Sequence, residues 1–407
     1  MFTYDNKYIY AKSNINRDKT AIVKFDVENN KELEIIFEHP DVDVSNLHSS
    51  KKRKKITDVS FTTEKKQSHF FDEDRKKLQD VLESKLPGYE VVIADMNKGE
   101  DKILVRTYSD KSRGAYYFYN LTTKDFFKLC DVSPWLNEEL LADMKPIKFT
   151  SRDGLLINGY LALPPGSEPK NLPVVVTPHG GPWARDTWGF DPETQFLANR
   201  GYAVLKINFR GSVGYGREFW ESSFKKWGRE MQDDITDGVN WLIEQGIGDK
   251  NRIGIYGGSY GGYAVLAGLA FTPDIYRCGV DYVGVSNLFT FMKSIPPYWK
   301  PFIDMFYEMV GDPEKDKEIL KKSSPVFHVD KIKAPLLIAQ GANDPRVAKS
   351  ESDQMVEALK KRGIDVPYIV KENEGHGFQN EENRFEFYRE MEEFLGRHLG
   401  GKVEASN

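Results

Sequence analysis

A serine set between glycines, Gly257-Gly258-Ser259-Tyr260-Gly261, is the first place in this 407-residue chain where residue types and spacing could do chemistry. An apolar run, Arg252-Ile253-Gly254-Ile255-Tyr256, precedes it, and a run of small residues from Gly262 to Ala270 follows. The pattern predicts a sharp strand-to-helix turn, which needs glycines because neighbouring side chains would collide. Such a turn lifts a serine hydroxyl above the end of a sheet and aims the next N–H at a developing oxyanion. The chemistry would be nucleophilic attack on a carbonyl. The five residues alone also fit a structural turn, so partners elsewhere must decide.

Serine is a weak nucleophile at neutral pH without a base beside it. In a hydrolase sheet the helpers come in the order serine, acid, histidine, each on a loop after a later strand. Gln340-Gly341-Ala342-Asn343-Asp344 follows the apolar run Leu336 to Ala339. Glu372-Asn373-Glu374-Gly375-His376-Gly377-Phe378 follows the run Tyr368 to Val370. His376 is therefore the predicted base, taking the serine proton and returning it to the leaving group. Asp344 is the predicted orienting acid, although an aspartate before Pro345 also suits a plain turn. Pro178-His179-Gly180-Gly181-Pro182-Trp183 directly follows another strand-like run. Adjacent glycines let the backbone approach an oxyanion, so the N–H groups of Gly181 and Tyr260 are the predicted donor pair.

These residues need a scaffold, and the sequence changes character near residue 145 to provide one. Beyond it, near-continuous apolar runs at 174–177, 203–207, 253–256, 279–283, 335–339 and 367–370 alternate with helical patterns at 234–244, 350–362 and 381–398. That alternation predicts an α/β fold: a mostly parallel, doubly wound sheet covered on both faces. A hairpin at 147–150 and 156–161, turning at Asp153-Gly154, leads into it. Before residue 145, seven short β-rich runs and one helical pattern at 74–86 predict antiparallel meanders, equivalent to about two four-stranded blades. A closed propeller needs at least four blades. The expected open sheet edges call for cover, either from the rest of a longer protein or from a second copy in a homo-oligomer. The predicted organisation is a partial β-propeller over 1–145, a hydrolase domain over 146–400 and a C-terminal tail over 401–407.

Together these residues resemble the catalytic domain of the prolyl oligopeptidase family of serine peptidases. The matching pieces are His179-Gly180-Gly181-Pro182, the run Asn208 to Gly216, Gly257 to Gly262, Asp344-Pro345-Arg346-Val347 and Gly375-His376-Gly377-Phe378. The resemblance covers about residues 146 to 400 and implies a propeller ahead of the hydrolase domain. The His-Gly-Gly-Pro form is similar to that of the acylaminoacyl-peptidase branch, where other branches carry a tyrosine at the position of His179. The resemblance also implies that Arg346 holds a substrate carbonyl through its forked donors. It implies an apolar pocket, from Tyr260, Val285, Leu288, Phe291 and Val347, for the residue ahead of the scissile bond. A surface ion pair for Arg346 and ordinary core packing for the apolar residues are the plainer readings. The paired glutamates with which dipeptidyl peptidases grip a free N-terminus are not identifiable, so exopeptidase activity is not assigned.

Composition narrows the alternatives. A hydrophobic fraction of 40% and a net charge of −5 fit a globular protein with a large core and no general attraction to nucleic acid or anionic membranes. No apolar run approaches the roughly 18 residues of a membrane span. The first residues carry no signal-peptide pattern, and the compartment stays open. Cys130 and Cys278 read as two buried thiols, and no Cys/His cluster has zinc spacing, so neither a metal nor a cofactor is called for. Lys51 to Lys55 reads as a solvated loop between strands, and Asp233-Asp234 as a helix N-terminus. The expected function is hydrolysis of short peptides through an acyl-enzyme. A carboxylesterase with the same machinery and a non-catalytic binding module on a hydrolase scaffold are the rivals.

Overall fold

The computed structural model describes residues 1–404; residues 405–407, the end of the expected tail, lie outside the described residues. Contacts divide the chain into two compact units. The first comprises Met1–Met144 with the short segments Thr187–Gln195 and Gly214–Glu218, and the second comprises the rest.

The first unit holds ten strands in three antiparallel sheets. Ile9–Ser13, Ala21–Asp26 and Lys31–Phe37 form one, and Val44–Ser50, Lys55–Thr62 and Lys66–Phe70 a second. The third is four-stranded, running from Glu90–Met96 through Lys102–Tyr108 and Ala115–Asn120 to Phe126–Asp131. Three of these strands, Val44–Ser50, Lys66–Phe70 and Glu90–Met96, go beyond the seven runs legible in the sequence. The first two are rich in Ser, His, Lys and Gln; backbone ladders pair them, and composition does not betray them. The helix Glu73–Lys85 starts where Asp72 accepts the N–H of Asp74, and buries Leu82 against Val91, Ile103 and Val105. Lys51–Lys54 form the turn of a hairpin. Cys130 is exposed, contrary to expectation, because it lies on the outermost strand of its sheet; Cys278 is buried.

The second unit is built on one eight-stranded sheet. In spatial order its strands are Met144–Thr150, Leu156–Ala162, Ala203–Asn208, Leu172–Val176, Gly248–Gly258, Cys278–Tyr282, Leu336–Gly341 and Tyr368–Lys371. Leu156–Ala162 runs antiparallel to its neighbour Ala203–Asn208, and the six strands from there onward are mutually parallel. Central strands such as Val174-Val175-Val176 are completely buried, as a sheet with helices on both faces requires. The covering helices include Glu230–Glu244, Tyr260–Phe271, Lys349–Lys360 and Glu381–Leu399. This is the α/β-hydrolase arrangement, preceded by a propeller-like antiparallel region. Asp233 lies in the first turn of the helix Glu230–Glu244, and Asp234 beside it is fully buried against Arg210.

Candidate active site

Ser259 stands between the strand Gly248–Gly258 and the helix Tyr260–Phe271, with no connecting loop. Its backbone lies at φ 60° and ψ −118°, a conformation that costs a non-glycine residue energy and persists only where the surroundings enforce it. The neighbouring glycines are required by close approach. A Cβ on Gly257 would lie 2.6 Å from the carbonyl carbon of Gly261, and one on Gly261 would lie 2.3 Å from the Pro178 oxygen. Tyr260 is the first residue of its helix, so its N–H belongs to the unpaired N-terminal donors, at the positive end of the helix dipole.

The loop after the strand Leu172–Val176 lies against this turn: a Cβ on Gly180 would be 3.1 Å from the Gly258 oxygen and 3.6 Å from Ser259 Cβ. Gly181 has φ 129°, in the region that favours glycine. His179 anchors the loop from beneath. Its ring stacks on Phe209 at 4.3 Å, and burial lowers its pKa and so favours the neutral imidazole. Its Nδ1 lies 2.8 Å from the Gly180 oxygen, which can only accept, so the proton sits on Nδ1. Nε2 lies 2.9 Å from Ser212 Oγ, whose hydroxyl donates to the Phe209 oxygen at 2.7 Å. Phe209 and Ser212 flank Arg210, whose guanidinium is bound to the buried Asp234 and to Asp153.

Asp344 and His376 meet as expected, with Nδ1 of the ring 2.7 Å from Asp344 Oδ2. The other oxygen, Oδ1, accepts the N–H groups of Arg346 at 2.8 Å and Val347 at 2.9 Å. One carboxylate thus serves both the turn before Pro345 and the contact with His376. Arg346 is exposed, and among the described residues its guanidinium forms no ion pair. Val285, Leu288, Phe291 and Val347 are buried. The Phe291 ring lies 6.1 Å from Trp227, which in turn sits edge-on to Tyr260 at 4.6 Å. Among the described residues no group of three or more His, Cys, Asp or Glu could hold a metal, and no helix is long and apolar enough to cross a membrane.

Three supporting residues escaped the sequence reading. Tyr282 accepts the N–H of Ser259 on its carbonyl at 2.9 Å and the N–H of Phe378 on its hydroxyl. Glu374 is buried two residues before His376 and accepts from Gln379 N, Asn380 N, Asn380 Nδ2 and Asn383 Nδ2 at 2.7–2.9 Å. Burial pushes its carboxyl up, but these hydrogen bonds outweigh it and bring the pKa down to about 2. The asparagine-rich stretch after the histidine was the available signal. Trp227 had none, because its role depends on rings from distant segments.

The prolyl oligopeptidase family model matches residues 188–402. Over 99% of its length the chain is 38% identical to dipeptidyl aminopeptidase BIII of Pseudoxanthomonas mexicana, covering 59% of that protein. It is 34% identical, again over 99% of its length, to dipeptidyl peptidase family member 6 of Caenorhabditis elegans, covering 58% of it. The chain thus spans less than two thirds of these relatives. An acylamino-acid-releasing enzyme of Arabidopsis thaliana matches 53% of the chain at 31% identity, covering 29% of that protein. Among solved structures, a puromycin-hydrolysing peptidase of Mycobacterium tuberculosis superposes on the whole chain with a TM-score of 0.84 at 21% identity, covering 63% of that protein.

Proposed function

Because this chain belongs to the prolyl oligopeptidase family, we propose that it is a serine peptidase that hydrolyses short peptides through an acyl-enzyme, with Ser259, His376 and Asp344 as its triad. The observation that carries this reading is the 2.7 Å contact between His376 Nδ1 and Asp344 Oδ2, on a loop tied through Tyr282 to the serine turn. Asp344 holds the ring with its proton on Nδ1, which leaves Nε2 as the basic nitrogen. Ser259 Oγ adds to the substrate carbonyl carbon while its proton passes to Nε2. The carbonyl oxygen becomes an oxyanion facing the N–H groups of Gly181 and Tyr260. Collapse of this intermediate breaks the C–N bond, and the departing amine takes the proton from Nε2. Water repeats the sequence on the ester, releasing the acid and restoring the serine.

Two relatives that match along 99% of the chain are named a dipeptidyl aminopeptidase and a dipeptidyl peptidase family member, which favours release of dipeptides over release of acylated residues. In this reading Arg346 grips a substrate carbonyl, and Val285, Leu288, Phe291 and Val347 line the pocket for the residue ahead of the cut. The test is mass-spectrometric mapping of cuts in a mixed peptide library, with wild type and Ser259→Ala side by side. The expected result is cleavage by the wild type and a loss of at least about three orders of magnitude in the variant. Cleavage that survives in Ser259→Ala overturns the triad. Turnover of p-nitrophenyl esters without any peptide cleavage indicates a carboxylesterase instead.

A further inference from the structure

We propose that Glu351 is a positioning residue for acyl-side selectivity, holding the Ser286–Phe291 segment in the conformation that offers an apolar pocket to the residue ahead of the cut. The inference rests on the serine-peptidase reading above. Glu351 lies in the first turn of the helix Lys349–Lys360, just after the loop that carries Asp344 and Val347, and is completely buried. A carboxylate without solvent is costly unless several donors converge on it. Here they converge from one segment. Oε2 accepts the N–H groups of Ser286 at 3.0 Å and Asn287 at 2.9 Å, and Oε1 accepts the Thr290 hydroxyl. The Ser286 hydroxyl donates to the Glu351 backbone oxygen at 2.7 Å. Gln354, nearly one turn further along the helix, takes Asn287 Nδ2 at 3.0 Å and donates to Thr290 Oγ1 at 3.0 Å.

The segment so gripped carries Leu288 and Phe291 and directly follows Val285. Asn287 caps its short helix Leu288–Lys293 by accepting the N–H of Phe289. The two N–H groups bound by Glu351 precede that helix, so the carboxylate sets where it starts and where its apolar side chains point. The same helix turn lies four residues beyond Val347 and seven beyond Asp344. Glu351 therefore ties the pocket segment to the loop of the catalytic acid. No step of the hydrolysis requires its charge, which leaves the geometry of the pocket as its contribution.

The test compares kcat/KM for two peptides that differ only in the acyl-side residue, one carrying a large apolar side chain and one glycine. Labelling of Ser259 by a small fluorophosphonate serves as the control. For Glu351→Ala the preference is expected to fall about tenfold or more, mainly through KM, with labelling within about threefold of wild type. Glu351→Gln keeps an acceptor for the two N–H groups and a donor for Thr290, and is expected to restore the preference. Thr290→Val, which leaves the backbone bonds in place, is expected to lower it a few-fold and decides the matter if Glu351→Ala does not fold. An unchanged preference in folded Glu351→Ala, or equal losses in labelling and in both peptides, overturns the proposal. A wild type that neither labels nor cleaves would instead overturn the serine-peptidase reading itself.

Discussion

The Tyr282 hydroxyl accepts the backbone N–H of Phe378, two residues beyond His376, while the Tyr282 carbonyl accepts the N–H of Ser259. One residue thus spans from the Ser259 turn to the loop of His376. Tyr282→Phe keeps the ring stacked on Phe387 at 4.6 Å but leaves the N–H of the buried Phe378 without its acceptor. A lost partner at such a site costs about 1–3 kcal/mol. Denaturant unfolding should show a loss of that size, and turnover should fall with it as the histidine loop loosens.

Gly261→Ala tests the proposed pairing of Gly181 and Tyr260 as oxyanion donors. The added methyl would lie 2.3 Å from the oxygen of the buried Pro178, which cannot yield without moving Gly180 and Gly181. Loss of one oxyanion donor lowers kcat by about 10²–10³-fold. A drop of at least about 10²-fold on an activated ester is expected. Activity near wild type would remove the Pro178–Gly181 loop from the site.

Glu374 links the site to acid stability. Its folded pKa, about 2, lies below the ordinary glutamate value of about 4.3. The contribution to stability is therefore complete above about pH 4.3 and is lost as pH falls through about 2. Glu374→Gln lacks it at every pH. The difference in Tm between wild type and variant should be largest near neutrality and should narrow on acidification below about pH 4. A difference that widens in acid would refute the assignment.

Asp281 behaves in the opposite sense. It is fully buried in the strand Cys278–Tyr282, and among the described residues neither carboxyl oxygen has a hydrogen-bond partner of good geometry. Burial pushes its pKa up to about 7, and the nearby Gly284 N–H offsets only part of that. A raised folded pKa favours the protonated form, so stability is lost as pH rises from about 4 through about 7. Asp281→Asn has no proton to lose. It should be close to wild type in stability at pH 4 and more stable at pH 8, by up to about 4 kcal/mol. Urea titrations at the two pH values would measure the difference.

The strands of the hydrolase sheet were legible because burial on both faces demands long apolar runs, and Val174-Val175-Val176 or Leu336-Leu337-Ile338 serve nothing else. The polar strands Val44–Ser50 and Lys66–Phe70 were not, because their pairing uses backbone groups that every residue carries. Asp344 and His376 could be proposed from chain order, since each follows a strand that must end at the same edge of the sheet. Cys130 was misjudged as buried because residue type reports an average preference and not a place at the edge of a sheet.

By itself the sequence determined the fold class and the candidate nucleophile, acid and base, because periodicity and glycine spacing are local properties of the chain. Only the tertiary structure decided that Tyr282 bridges two loops, that Glu374 closes the histidine loop and that Glu351 grips Ser286 and Asn287. Each of these is a hydrogen bond whose strength depends on tenths of an ångström, and for Tyr282 and Glu351 the partners lie 23 to 96 residues apart. Distances of that kind exist only once the whole sheet has brought its loops to one edge.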